Sequence, residues 1–359
     1  MLIVSSDVHR AHHALELDSG ELIPSWEHPG RADSVQAAIE AAGLGPIVVP
    51  ERLDRSLVDR VHEPGYVGFV ETAHERWVAE GYQAPAAMGF AWPARGAVNL
   101  THRPIDLMAQ LGWYSFAADC SIVAGTWAAA AEAAACAQTA ADAVDLAAGA
   151  SSSGLPPTQS AFALCRPPGH HAGYDTFGGY CYLNNAAIAA TRLRDRGAAR
   201  VAIVDVDFHH GNGTQEIFYE CDDVVFCSIH GDPLWAFPWF AGHADEIGAG
   251  LGEGCNLNLP LGRGTTFEVW MEALGTGLDW VRGHGCDALV VSLGVDTFEG
   301  DPISEFALAT DDFPAVGGAL AGLDLPTVLV LEGGYATDEL GANVAGVLTG
   351  FAASAAGSG

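Results

Sequence analysis

The chain is 359 residues long, 49% apolar and only 17% charged, which supplies ample material for a large core and excludes global disorder. Its formal charge of −30 comes from 45 acids against 15 bases, every one of them arginine. That balance excludes a phosphate-backbone binder and a protein that docks on anionic lipid. It suits a cationic small molecule or a basic peptide, although on charge alone a solvated acidic surface is the simpler account. No apolar run reaches membrane-spanning length, and the opening MLIVSSDVHR lacks the basic-then-apolar order of a signal peptide. Eight cysteines are scattered without a CxxC pair, as expected of reduced thiols in a cytoplasmic protein.

In chain order, residues 47–49 (IVV) form a short candidate strand. Residues 83–115 carry Pro85, Trp92-Pro93, Arg95-Gly96, His102-Arg-Pro104 and Trp113-Tyr114 with poor periodicity of either kind. A stretch this long inside a compact domain is expected to be functional, and its aromatics predict an ordered excursion that covers a site or a partner. The alanine-rich run 117–150 predicts one long helix ending at Gly149, with the loop Ser151 to Pro157 after it.

Four β-branched runs come next, at 201–204, 224–228, 288–292 and 327–331. Apolar on both alternating positions, they read as strands buried on both faces, hence a largely parallel sheet with helices on each side. After them come, in turn, DVDFHHGN from Asp205, HGD from His230, GVD ending at Asp296, and EGGY ending at Tyr335. In such a sheet ligands bind beyond the carboxyl ends of the strands, so four strands deliver polar groups to one rim.

Asp207 and His209 lie two apart beyond one strand, and Asp296 ends another. Three N/O ligands without a thiolate leave a coordination position open, which is the pattern of a catalytic zinc site. His170 and His171, in RPPGHH, sit on a proline-preset turn and suit an acid/base pair better than two ligands of one ion. Asp205 and Asn212 are their candidate partners, one raising basicity and one orienting. Tyr335, after two glycines, could donate a hydrogen bond to a developing oxyanion. His210 reads as structural.

RPPGHHA, FGGYCYLNNAA, VDVDFHHGNGTQ, SIHGDP, SLGVDTFEGDPIS and LEGGY occur in the order found in the histone-deacetylase superfamily. The chain resembles most its bacterial acetylpolyamine amidohydrolases and the related class II deacetylase-like amidohydrolases, densely from Phe162 to Val347. The resemblance implies an arginase/deacetylase fold: one α/β domain over residues 1–359, with a mainly parallel sheet and helices on both faces. It implies one zinc ion per chain on Asp207, His209 and Asp296, catalysis by His170, His171 and Tyr335, and Asp205 and Asn212 behind the histidines. Asn212 stands where many deacetylases have aspartate. Tyr180 matches a wall of the acyl-lysine tunnel where phenylalanine is commoner, and Phe237 or Phe240 the opposite wall. A structural K⁺ or Na⁺ falls on backbone groups of Asp205, Asp207, His209, Ser228 and Ile229. Residues 83–115 resemble an insertion that packs across a homodimer and narrows the entrance, with Asp106 a candidate reader of the distal ammonium.

The implied reaction is hydrolysis of an N-acetyl amide on a small cationic amine such as an acetylpolyamine. An acetyl-lysine peptide or protein deacetylase is the alternative, and a non-catalytic acyl-lysine binder a third reading. A two-metal ureohydrolase needs further acidic ligands, and Thr297-Phe298 come after Asp296 instead.

Overall fold

The computed structural model describes residues 1–93, 100–146, 155 and 157–357. Among the described residues, ten strands are β1 Leu2–Val4, β2 Leu15–Asp18, β3 Glu21–Pro24, β4 Ile47–Val48, β5 Ser160–Ala163, β6 Val201–Asp205, β7 Val224–Gly231, β8 Asn256–Leu261, β9 Ala288–Leu293 and β10 Thr327–Leu331. Eight of them form one parallel sheet in the order β4-β1-β5-β10-β9-β6-β7-β8, while β2 and β3 pair as a separate antiparallel hairpin. The α-helices among the described residues are α1 Gly30–Ala42, α2 Arg55–Val61, α3 Pro64–Ala79, α4 Leu107–Tyr114, α5 Thr126–Ala143, α6 Asn185–Asp195, α7 Asn212–Phe218, α8 Phe267–His284, α9 Phe313–Ala321 and α10 Thr337–Gly357. No helix among the described residues is long and apolar enough to cross a membrane.

The strand pleat sorts side chains into two layers. Leu289, Val291, Leu329 and Leu331 face α1, α8, α9 and α10, where they meet Ile39, Trp270, Leu274, Val316 and Val344. Their neighbours Ala288, Val290, Val328 and Val330 face α5 and α6. Burying each such aliphatic side chain stabilises the fold by about 1.5–3 kcal/mol before the opposing entropy is counted. A third cluster packs α2, α3 and α4 against the outer side of α5 and α6.

The alanine-rich segment is helical only from Thr126 to Ala143. Upstream, Ala118 accepts the Leu17 amide, the Ser121 hydroxyl accepts that of Leu15, and Ile122 pairs with Ala87, so tertiary pairing with β2 outweighs alanine's helix propensity. Downstream, Val144 pairs with Thr158 in an extended bridge. Gly149 and residues 151–154 lie outside the described residues. Within 83–115, the two-turn helix α4 corrects the expectation of aperiodic chain; Arg95 and Gly96 lie outside the described residues. Strands β1, β5 and β8 and the hairpin complete what the four β-branched runs began.

Candidate active site

Because the sheet is parallel, β5, β6, β9 and β10 all end on one rim, and the segments leaving these strands converge there. Beyond β6 the chain bends through its own polar groups: Asp207 N–H donates to Asp205 Oδ1 at 3.1 Å, and His209 N–H to Asp207 Oδ1 at 2.9 Å. Phe208 N–H donates across to Asp296 Oδ1 at 2.7 Å, which locks the end of β6 to that of β9. Two glycines make the convergence possible. A Cβ on Gly294 would lie 2.0 Å from Asp207 Oδ2, and one on Gly333 would lie 2.5 Å from both Asp207 Oδ2 and Asp296 Oδ2.

Ligand atoms of Asp207, His209 and Asp296 lie within 4.8 Å of one another, all buried. His209 Nδ1 is 2.9 Å from Asp296 Oδ2 and 3.3 Å from Asp207 Oδ1. Burial, reinforced by the Asp207 charge, pushes Asp296 up to about 7. For His209, burial pulls downward but the two carboxylates outweigh it and raise the ring to about 10. Two carboxylates forced together out of water attract a cation. An all-N/O set of three donors, free of thiolate, fits a divalent ion of the zinc type with a position to spare.

His170 and His171 sit on the turn after β5, where Gly169 and His170 donate their amides to Glu332 Oε2 at 2.6 and 3.1 Å. His170 Nδ1 lies 2.9 Å from Asp205 Oδ2, and its Nε2 3.8 Å from Asp207 Oδ1. Burial disfavours its charge, yet Asp207 and then Asp205 raise it to about 10. His171 Nδ1 lies 2.7 Å from Asn212 Oδ1, a neutral partner, and burial together with the neighbouring His170 and His209 charges holds it far below the usual range. The surroundings thus favour the charged form of the His170 ring and the neutral form of the His171 ring. An acceptor at Asn212 Oδ1 fixes the His171 proton on Nδ1 and leaves the Nε2 lone pair free.

Tyr335 lies just beyond β10. Its phenol is pushed well above its ordinary range, chiefly by burial, and stays protonated. The Arg31 guanidinium lies 4.7 Å over the ring and donates to the carbonyls of Gly334 and Glu332, each at 2.6 Å. Arg31 is in turn held by Glu27, wholly buried between Arg31 and Arg166. Sequence reading missed this ion-pair triad, whose third member, Arg166, lies far along the chain from Glu27 and Arg31.

A cavity of about 440 Å³ opens over these groups. His171, His209 and Tyr335 line it, together with Tyr180, Phe237, Pro302 and Ile303, and Glu16, Asp18, Trp26 and Asp119 complete the wall. Tyr180 packs edge-on to Tyr335 with ring centroids 5.5 Å apart, and Phe237 edge-on to His171 at 5.1 Å. Phe240, by contrast, is 86% exposed. His210, fully buried, has Nε2 3.2 Å from Asn258 Oδ1 and does not line the cavity.

The three acids were not foreseen. Asp106 caps α4 by accepting the Ala109 amide and does not line the cavity of its own chain. Glu16 is buried on β2, whereas Leu17 and Asp18, which also line the cavity, are exposed. The alternation LELD at 15–18 signals a strand, but one whose Glu16 turns inward. Burial raises the Glu16 carboxyl above its usual range, against the lowering effect of hydrogen bonding from Tyr180, Ser25 and the Trp26 amide. Burial likewise lifts Asp119 to about 6, although the Gly179 amide donates to it at 3.0 Å.

The histone deacetylase domain family matches residues 25–351. The chain is 48% identical over 353 residues to the acetylpolyamine amidohydrolase of Mycoplana ramosa, covering 98% of this chain and 100% of that one. It is 47% identical over 352 residues to acetylpolyamine amidohydrolase 1 of Pseudomonas aeruginosa, covering 98% and 99%. The crystal structure of acetylpolyamine aminohydrolase from Burkholderia pseudomallei superposes with a TM-score of 0.89 at 39% identity, covering 99% of both chains.

Proposed function

The chain belongs to the histone deacetylase family, and we propose that it is a zinc-dependent amidohydrolase removing acetyl groups from the amine of a small cationic substrate of the acetylpolyamine class. One observation carries the substrate class: Glu16, Asp18 and Asp119 line the same cavity as His171 and Tyr335. Carboxylates gathered on one side of a cavity favour a substrate ammonium, which a charge-assisted hydrogen bond would hold.

Asp207, His209 and Asp296 would hold the zinc, which when bound supplies Lewis acidity toward the amide carbonyl and toward water. His171, neutral and with Nε2 free, takes the proton from the attacking water and passes it to the nitrogen as the C–N bond breaks. His170, held by the Asp205 carboxylate at 2.9 Å, favours positive charge beside the developing oxyanion. The Tyr335 hydroxyl donates a hydrogen bond to that oxygen. Tyr180 and Phe237 flank a slender acyl chain and keep bulk water from it.

A panel of N-acetylputrescine-type amines and acetyl-lysine peptides, run with and without chelator, tests the reading. The acetylated diamine should give the higher kcat/KM, and chelation should abolish turnover. A preference for peptide would shift the assignment to a protein deacetylase, and chelator-insensitive turnover would remove the metal. Further parts of the same reading concern the assembly. The chain forms one catalytic domain, supported by the single eight-stranded sheet. A K⁺ or Na⁺ ion binds backbone groups of Asp205, Asp207, His209, Ser228 and Ile229, where β6 and β7 run in register. Residues 83–115 pack on a second copy, supported by the exposure of Phe90 at 72% and Ile105 at 92%. Eight unpaired thiols support a reducing, cytoplasmic setting.

A further inference from the structure

Behind Tyr335 lies a loop that neither the metal ligands nor the histidine pair uses. We propose that Asp301 is the positioning residue for the Tyr335 phenol, an inference that rests on the reading of that phenol as the oxyanion donor. Asp301 Oδ2 accepts the Tyr335 amide at 2.7 Å and the Ala336 amide at 3.3 Å, while its Oδ1 accepts the Ile303 amide at 3.1 Å. The residue is 8% exposed, and its own amide donates to Phe298 O at 3.0 Å.

The need for such a group arises from the path of the chain. After Leu331 the backbone leaves the sheet, and Gly333 and Gly334 have no side chains with which to fix the residues after them. Gly334 sits at φ +124°, so the segment gains no rigidity from ordinary backbone preference. Arg31 grips the carbonyls of Glu332 and Gly334. Asp301 takes the next two amides, which precede α10 and so have no helical acceptors. Carbonyls on one side and amides on the other are thereby held by two charged side chains from distant parts of the sequence.

The loop that carries Asp301 is itself anchored to the site. The Glu299 amide donates to Leu308 O, the Leu308 amide donates to Thr297 O, and the Ser304 hydroxyl donates to the carbonyl of Asp296. Pro302 and Ile303 line the cavity. A single carboxylate thus joins the main chain of Tyr335 to the cavity wall and to the strand end bearing Asp296. Its removal leaves three amides unsatisfied, those of Ile303, Tyr335 and Ala336, and lets the phenol drift, and a shift of about 1 Å suffices to lower turnover by up to roughly 100-fold.

The test is a double-mutant cycle: Asp301→Ala and Asp301→Asn, each alone and combined with Tyr335→Phe, measuring kcat, KM and bound zinc. Asp301→Ala is expected to lower kcat by roughly 10- to 100-fold with KM within about twofold and zinc content unchanged. In the Tyr335→Phe background the same change should add less than about twofold, because the group being positioned is already gone. Equal losses in both backgrounds, wild-type kcat, or lost zinc would each overturn the proposal. Should Asp301→Ala not fold, Asp301→Asn, which keeps one acceptor oxygen, carries the cycle with an expected loss of about three- to tenfold, and undiminished kcat there overturns it. Wild-type turnover in Tyr335→Phe alone would overturn the phenol's role and this proposal with it, an outcome distinct from additive losses.

Discussion

At the scale of single residues, charge placement governs the chemistry. Replacing Tyr335 by Phe removes one oxyanion donor and should lower kcat by about 10²–10³-fold while leaving bound zinc intact, as metal analysis beside steady-state kinetics would show. Asp119 makes a pH prediction. Its carboxyl, lifted to about 6 by burial, is neutral below that pH and anionic above it. KM for a dicationic acetylated amine should therefore climb as pH falls through about 6, and Asp119→Asn should flatten that profile while raising KM at neutral pH. That Asp207, His209, Asp296 and Tyr335 share one rim was legible in the sequence because each lies just past a readable strand, while the histidine pair stood out through its RPPGHH turn. Glu16 and Asp119 were not, because a carboxylate on a short strand or in an alanine-rich stretch looks like ordinary surface until the fold turns it inward.

At the scale of elements, burial on both faces made β6, β7, β9 and β10 readable as strands, and their shared direction placed the rim. What failed to show were β1, β5 and β8, too short or too polar to rise above their surroundings, and the true length of α5. That helix lies between two cores, and alanine is what lets it approach both: Ala137 and Ala140 face the sheet side, Ala130 and Ala134 the other. Ala137→Leu should accordingly overpack and destabilise by about 1–3 kcal/mol in urea unfolding. His62 pins the loop after the histidine turn, with Nδ1 2.7 Å from Gly173 O and Nε2 accepting the Asn184 amide at 2.9 Å. Burial lowers it from 6.5 to about 4. Between those values the unfolded chain binds a proton that the folded chain refuses, so its contribution is full above pH 6.5 and is lost as pH falls toward 4, by at most about 1.4 kcal/mol per pH unit. His62→Gln should be less stable at pH 7, yet its urea midpoint should fall less steeply between pH 6.5 and 4.

For the molecule as a whole, a net charge of −30 acts on anything cationic that approaches. Raising ionic strength about tenfold should depress kcat/KM for a dicationic amine several-fold while sparing an uncharged acetamide, with kcat for both nearly constant. A salt-independent kcat/KM for the dication would confine electrostatics to the cavity itself.

The division between the two sheets has an evolutionary corollary. Bond-breaking groups descend from the ends of the large parallel sheet, where glycines at 294 and 333 leave no latitude for change. Glu16 and Asp18, by contrast, ride on the independent β2–β3 hairpin. Descendants of this scaffold can therefore trade one hairpin for another and acquire new amine preferences while inheriting the hydrolytic apparatus unaltered, and a laboratory library confined to residues 15–24 offers the same route to altered selectivity.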